Sequence, residues 1–160
     1  MIVKENYRIS QSTMALKEAL TPEYNVEIHD VDGVFYSTKT PRELLDEACM
    51  DRFNTYNGRI EAARKILYYP KKTPLVFGHH DHLSAFPTKS PDAYDCIWIF
   101  PKHIKTHVIE GKDLYVLFQN GQMLKLNCSL YTFQRQRERT ANCLMNISDT
   151  AFIQVIVKNS

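Results

Sequence analysis

The segment that follows Gly78 is rich in side chains that can bind a metal ion. It consists of His79, His80, Asp81 and His82. On a β-strand, His80 and His82 would point to the same face, as two ligands of one metal site can. His103 and His107 could supply two further imidazoles. Imidazole suits zinc, copper and iron, so one hypothesis is a metal-dependent enzyme built on this segment.

Three features of these histidines disfavour that hypothesis. The HIKTH segment lacks the glutamate of the catalytic H-E-x-x-H pattern. Its apolar residues alternate as in a strand, which would place His103 and His107 about 13 Å apart at ~3.3 Å per residue. Gly78 and Asp81 lie between two short apolar runs, which is typical of a hairpin loop. We therefore predict a loop at residues 79–82, expect no metal or other cofactor, and keep the metal-dependent enzyme as the alternative.

Other catalytic patterns are absent from the sequence. No G-x-S-x-G nucleophile elbow occurs, and the four cysteines are widely spaced without a C-x-x-C pair. Asp92 and Asp95 lie in a segment typical of turns, which disfavours a pair of catalytic carboxylates. No glycine-rich nucleotide-binding loop is present. The sequence therefore predicts a protein that is not an enzyme.

Charge is distributed unevenly along the chain. The overall net charge is only +2, but residues 1–50 hold five basic and nine acidic side chains, whereas residues 51–160 hold fifteen and nine. Between Arg52 and Lys72 there are six basic residues and one acid, and residues 135–139 hold three arginines and one glutamate. Clusters of this kind indicate a polyanionic partner or a solvated basic face.

The segment Arg52–Arg59 interleaves cations with aromatic and amide side chains. Asn57-Gly58 favours a left-handed turn that would bring backbone close to a ligand. Arginine can hold phosphate with two hydrogen bonds or enter a DNA minor groove. Lys71 and Lys72 follow in a proline-flanked loop suited to phosphate contacts. The alternative is a helix end followed by a solvated basic loop.

These candidate residues are positioned by elements that indicate an α+β fold, richer in strands than in helices. We predict a strand-rich antiparallel sheet with hairpins, a central helix and a C-terminal helix. Asp32-Gly33 and Asn120-Gly121 each separate two strand-like runs, as hairpin turns do. Thr40 and Pro41 suit the start of the central helix, and Asn57-Gly58 suits its end. Ser129 suits the cap of the C-terminal helix.

The ends of the chain are less regular. The length predicts one domain, residues 1–160. Residues 1–22 are polar with a weak helical pattern, and we expect an arm or a short helix there. The segment Ile60–Tyr69 fits a helix or a strand. Thr150–Val157 is apolar and β-prone.

Because no signal-peptide core and no ~20-residue apolar run occurs, we expect a cytoplasmic protein.

Several sequence segments, in this order, resemble the bacterial competence transcription factor (ComK) family. They are ACMDRFNTYNGRIEAARKIL, KTPLVF, SAFPTKSPDAYDCIWI and VLFQNGQMLKLNCSLYTFQRQRERTA. The features that carry the resemblance are a cysteine followed by Phe53, Tyr56 and Arg59, the Phe-Pro-Thr step before Trp98, and the Phe-Gln-Asn-Gly hairpin before a Ser-Leu-Tyr-Thr-Phe helix start. The resemblance covers residues 33–141, a family-like DNA-binding core.

The resemblance implies a transcriptional activator of DNA-uptake genes. Proteins of this family act as dimers that pair on promoters and bind AT-rich boxes, largely through the minor groove of double-stranded DNA. The family also activates its own gene and is delivered to a protease by an adaptor. Together with the charge pattern, this predicts a cytoplasmic, nucleoid-associated homodimer with no role in a membrane.

The basic segments supply the predicted DNA-binding residues. We expect some of the arginines and lysines near the minor groove of the DNA, Asn57 at a base edge or a sugar, and the other cations on phosphate. The full set is Arg52, Asn57, Arg59, Arg64, Lys65, Lys71, Lys72, Arg135, Arg137 and Arg139.

Residues 142–160 depart from the family pattern, and family members usually run longer at the carboxyl end. This divergent tail predicts a shortened or divergent member and puts recognition by a protease adaptor in doubt. A second alternative function is therefore an inactive, truncated regulator that dimerises through its apolar tail and sequesters partners.

Overall fold

In the computed structural model, the backbone is described for residues 1–159 and the side chains for residues 1–147. This part of the chain forms ten strands and three α-helices, which confirms the predicted α+β class. The strands are β1 Ile2–Val3, β2 Thr13–Glu18, β3 Val26–Asp30, β4 Gly33–Ser37, β5 Leu75–Val76, β6 Ser84–Pro87, β7 Trp98–Ile99, β8 Ile104–Glu110, β9 Asp113–Phe118 and β10 Met123–Lys125. The helices are α1 Pro41–Met50, α2 Tyr56–Leu67 and α3 Leu130–Asn159. No helix in the described residues is long and apolar enough to cross a membrane.

Two sheets organise the fold. The larger has seven strands in the order β1-β4-β3-β2-β7-β6-β5, and the smaller has three in the order β10-β9-β8. Every neighbouring pair is antiparallel except β1 and β4. The predicted hairpins β3–β4 and β9–β10 are confirmed.

Two hydrophobic clusters lie on opposite sides of the seven-stranded sheet. One contains Leu44 and Leu45 of α1, and the other contains Phe133 of α3 with side chains of the three-stranded sheet. Strand β7 separates them, because Trp98 belongs to the first cluster and Ile99 to the second. Burial on both faces explains why this segment is almost entirely apolar.

The prediction of an arm or a short helix at the amino terminus was wrong. Strand β2 lies inside the seven-stranded sheet, between β3 and β7. Met14, Ala15 and Leu16 are all fully buried. A strand buried on both faces, with a register shift between Thr13 and Ala15, has no clean period of two, so its apolar spacing imitated a weak helical pattern.

The central helical region consists of two helices. The predicted start of α1 is confirmed, because the Thr40 hydroxyl accepts the Glu43 amide at 3.1 Å. The prediction that Asn57-Gly58 ends a helix was wrong. Both residues lie in the first turn of α2, where the Thr55 hydroxyl accepts the Gly58 N–H at 3.0 Å. The first turn tolerates asparagine and glycine because its N–H groups have no partners within the helix.

Segment 60–69 is helical as far as Leu67, and the left-handed Tyr68 follows it. Helix α3 begins as predicted, since the Ser129 hydroxyl accepts the Thr132 amide at 3.1 Å. The prediction of a β-prone tail was wrong, because the backbone of Thr150–Val157 continues α3. Extending a helix that has already begun fixes one residue for each new hydrogen bond, so the β propensity of isoleucine and valine is overridden.

The predicted hairpin loop at residues 79–82 is confirmed. It connects the antiparallel strands β5 and β6. His82 adopts a left-handed backbone conformation with φ 55°. The Asp81 carboxylate accepts hydrogen bonds from the guanidinium of Arg52, and Gln11 donates to the Asp81 carbonyl at 2.8 Å. The loop is thus fixed by contacts to Arg52, which follows α1, and to the amino-terminal segment.

Candidate nucleic-acid interface

A groove of about 710 Å³ lies along one side of α2 and brings together cations from three parts of the chain. We call it the basic groove. Its charged residues are the cations Arg42, Arg64, Lys71 and Lys72 and the acids Glu61 and Asp92. The predicted contact Asn57 also lines it, in the first turn of α2. The balance is two positive charges, so the groove attracts anions.

Arg42 was not among the predicted DNA contacts. It occupies the first turn of α1, and its guanidinium lies 4.1 Å from the centre of the Tyr56 ring. One nitrogen is 3.7 Å from the exposed carboxylate of Asp92. Stacking on an aromatic ring holds the guanidinium plane while leaving it able to bind an anion. No sequence signal indicates this role, because Arg42 lies outside the basic segment and reaches the groove only through tertiary packing.

Arg64 is held by the segment that follows α2. Its Nε donates to the Thr73 hydroxyl at 3.3 Å, and that hydroxyl donates to the Tyr69 carbonyl at 2.6 Å. The side chain is nevertheless exposed. The guanidinium of Arg64 is therefore oriented at the groove by a buried threonine.

The loop that carries Lys71 and Lys72 is fixed by helix α3. Lys72 has a left-handed backbone, with φ 50°. The buried amide of Gln136 donates at 2.8 Å to the carbonyl of Lys72 and at 2.8 Å to that of Pro87. Arg139 donates at 3.0 Å to the carbonyl of Lys71. Because the carbonyls are bonded to the protein, the backbone of both lysines is held at the rim of the groove.

The three arginines of α3 differ in the side of the helix that they occupy. Arg135 and Arg139 are four residues apart and share a face. Arg139 is half-buried, lies 4.4 Å from the centre of the Tyr69 ring, and burial lowers its pKa. Arg135 is exposed one turn earlier. Arg137 points elsewhere, with its guanidinium 5.9 Å from the centre of the Phe133 ring.

Arg59 lies on the side of α2 away from the basic groove, and Arg52 lies in the segment between α1 and α2. Both contact the β5–β6 hairpin. The Arg52 guanidinium lies 2.6 Å from Asp81 and holds the pKa of that carboxyl below its usual range. Arg59 donates from Nε to the Val76 carbonyl at 2.6 Å, and burial lowers its pKa. Both side chains have internal partners and neither lines the basic groove. Their role in DNA binding stays a prediction.

Lys65 lies on the exposed side of α2 and forms an ion pair with Glu61 at 2.8 Å. The structure thus gathers four of the ten predicted residues, Asn57, Arg64, Lys71 and Lys72, at the basic groove. Arg139 contacts its rim, with Arg135 one turn away on the same helix.

The histidines do not assemble into a metal site. Among residues 1–147, no three histidine, cysteine, aspartate or glutamate side chains are arranged to hold a metal ion. His103 Nε2 lies 2.6 Å from the Gln11 carbonyl, and His79 contacts Arg59 at 3.5 Å. Burial first, and the charge of Arg59 second, lower the pKa of His79.

Comparison with known proteins identifies the class. The family model described as ComK protein matches residues 4–151, so the chain belongs to the ComK family. This match extends beyond residues 33–141 at both ends and includes β2 and part of the predicted divergent tail. The family is one of competence transcription regulators, which is not an enzyme class.

A particular relative is the competence transcription factor of Bacillus subtilis (strain 168). It is 30% identical to this chain over 139 residues, which cover 86% of the chain and 72% of the relative. No solved structure matches the chain.

Proposed function

We propose that this chain is a DNA-binding transcriptional activator of competence genes and that its basic groove binds double-stranded, AT-rich promoter DNA. The observation that carries the proposal is the convergence of Arg42, Arg64, Lys71 and Lys72 on one groove. The name of the Bacillus subtilis relative supports the same class of function. Phosphate contacts from such cations position a protein on DNA and supply most of its non-specific affinity.

The arginines of the basic groove support recognition of DNA through its minor groove. The minor groove of an A-tract is narrow and strongly negative, and it attracts arginine side chains. Arg42 and Arg64 are the two groove arginines, and each is oriented by a neighbouring side chain. Lys71 and Lys72 would then contact the flanking phosphates, with Arg135 extending the positive surface along α3. Asn57 lies in the same groove and would meet a base edge or a sugar.

The amino terminus of α2 is already occupied by side chains of the protein. The Asp46 carboxylate accepts the Tyr56 N–H at 2.8 Å, and the Thr55 hydroxyl accepts the Gly58 N–H at 3.0 Å. The attraction for phosphate is therefore proposed to come from the groove cations and not from the helix end.

The proposed assembly is a homodimer, with two dimers pairing on a promoter, in a cytoplasmic and nucleoid-associated protein. An exposed apolar groove between α2 and α3 supports an interface with another protein chain. We also propose delivery to a protease by an adaptor, and only the family resemblance supports this part of the proposal.

Binding of fluorescently labelled AT-rich and GC-rich duplexes across a range of salt concentrations tests the proposal. We expect tighter binding to the AT-rich duplex and an affinity that falls steeply with salt, because each neutralised phosphate releases a counterion. Binding that is indifferent to salt and base composition would refute it. A folded protein without DNA affinity would favour the inactive regulator.

A further inference from the structure

Phe53 occupies a backbone position that normally favours glycine. It follows α1 with φ 60°, its N–H donates to the Met50 carbonyl at 3.0 Å, and the Asn54 N–H donates to the Cys49 carbonyl at 2.9 Å. These two bonds define a helix end at which the left-handed residue is usually glycine. The side chain of Phe53 is 99% exposed. A phenylalanine here accepts backbone strain without gaining any burial within the fold.

A cavity of a size suited to an aromatic side chain lies on the same side of α2 as Phe53. An apolar groove of about 280 Å³ runs between α2 and α3, and we call it the apolar groove. Its lining includes the side chains Ala62, Ala63, Ile66, Leu67, Val76 and Ile147. The surface around Phe53 shares Arg59 and Ala62 with this groove, so the two features are continuous. Phe53 precedes the first turn of α2, whereas the groove extends to its last turn.

We propose that a second copy of this chain covers this surface, with the two α2 helices antiparallel about a two-fold axis near Ala62 and each Phe53 inserted into the partner's apolar groove. The inference rests on the proposed function in taking the working protein to be a dimer. A two-fold interface requires a patch that is complementary to itself, and a projecting side chain beside a groove of suitable size fulfils that requirement.

The dimensions of α2 agree with this arrangement. From Ala62 the helix extends six residues to Tyr56 and five to Leu67, which is about 9 Å and 7.5 Å at 1.5 Å per residue. An antiparallel pair centred on Ala62 therefore brings each Phe53 toward the last turn of the other helix. Gly58 and Ala62 are small and exposed, so the two backbones can approach closely at the axis.

Exposed apolar side chains beside Phe53 add to the contact area. Met50 is 60% exposed and Ile66 is 69% exposed. A buried phenylalanine contributes roughly 150–250 Å², about a fifth to a third of the ~800 Å² that each partner buries in a standard interface. A second copy is favoured over an unrelated protein because the projecting side chain and its groove lie on one surface.

The proposed interface leaves the DNA-binding surface uncovered. The basic groove is lined by α2 residues 56, 57, 60, 61 and 64, and the apolar groove by residues 59, 62, 63, 66 and 67. The two sets meet at the buried face of the helix, but their exposed members lie on opposite flanks of it: Asn57, Glu61 and Arg64 on one, Ala62 and Ile66 on the other. A dimer formed through the apolar side would therefore present two free basic grooves.

Sedimentation equilibrium of the full chain tests the proposal with Phe53→Gly. Glycine suits the left-handed backbone, so we expect this variant to fold and, at a dilution where both proteins are monomeric, to unfold at no lower a temperature than wild type. We expect its dimer dissociation constant to rise at least about tenfold, as for a central aromatic contact. Tyr94→Ala removes another aromatic side chain, 82% exposed, and should leave the constant unchanged.

Disulfide trapping gives an independent readout of the geometry. Ala62→Cys should form a covalent dimer on mild oxidation, because residues at a two-fold axis lie within the Cα separation of a disulfide. Ala141→Cys, exposed on α3, should not. Wild type gives the background, since three of its four cysteines are buried and Cys128 is half-buried.

Three results would overturn the proposal: a monomeric wild type, an undiminished Phe53→Gly dimer, or no disulfide through Ala62→Cys. If the undiminished Phe53→Gly dimer also loses DNA affinity, Phe53 is assigned to DNA instead. Failure of wild type to bind DNA would refute the proposed function instead and would leave the self-association measurement intact.

Discussion

The buried amide of Gln136 is expected to hold the Lys71–Lys72 loop against α3, and its removal should destabilise the fold. We consider Gln136→Leu, which keeps a similar size but removes both donors. The change leaves the carbonyls of Lys72 and Pro87 without their 2.8 Å partners. A buried group left unsatisfied costs about 1–3 kcal/mol. Because Lys72 is half-buried and water can reach part of the loop, we expect a total loss of about 2–4 kcal/mol.

Urea unfolding followed by circular dichroism measures this loss. Gln134→Leu is the matched control, because it makes the same substitution at an exposed position two residues earlier, where the effect should stay within about 0.5 kcal/mol. In a chain of this size each kcal/mol should lower the melting temperature by about 2–4 °C. If Gln136→Leu is as stable as Gln134→Leu, the account of how α3 fixes the loop is wrong.

Three further perturbations test other parts of the structure. Thr40→Ala removes the side-chain acceptor at the start of α1 and should cost about 1 kcal/mol of unfolding free energy, whereas an unchanged urea midpoint would contradict the capping role. Asp81→Asn should reduce the loss of stability in acid: the folded pKa of Asp81 is lowered by Arg52, so its contribution is present above the unfolded pKa of 3.8 and disappears as pH falls through the folded value. Melting temperatures of both proteins from pH 6 to about pH 2 check this, and parallel curves would contradict it. Arg42→Ala should weaken DNA binding and reduce the salt slope by about one unit, and an unaltered slope would remove Arg42 from the interface.

Local sequence signals predicted those elements that depend on short-range chemistry. The Thr40 cap of α1 and the turns of the β3–β4 and β9–β10 hairpins follow from a few adjacent residues. The loop at residues 79–82 was likewise identifiable from its glycine and aspartate between two apolar runs. The role of Asn57-Gly58 was misjudged, because the left-handed residue that turns the chain is Phe53, a type rarely found in that conformation.

The candidate site was predictable only in part, because it depends on long-range packing. The sequence shows a basic segment that contains Arg64, Lys71 and Lys72, and the structure brings these residues to one groove. Arg42 was not predicted as a DNA contact, because its position depends on stacking against Tyr56, fourteen residues later in the chain. Arg52 looked equivalent to its basic neighbours, and only the fold shows its ion pair with Asp81.

Binding of duplex DNA at the basic groove is tested by a matched pair of double variants. One variant is Arg64→Ala with Lys71→Ala, at the groove, and the other is Lys105→Ala with Lys112→Ala, which removes two exposed charges from the β8–β9 hairpin. The measurement is the slope of affinity against salt for an AT-rich duplex. We expect the groove variant to lose about two phosphate contacts and its slope to fall by about 1.8, while the hairpin variant keeps the wild-type slope. Equal slopes for wild type and the groove variant, or a fall confined to the hairpin variant, would contradict it.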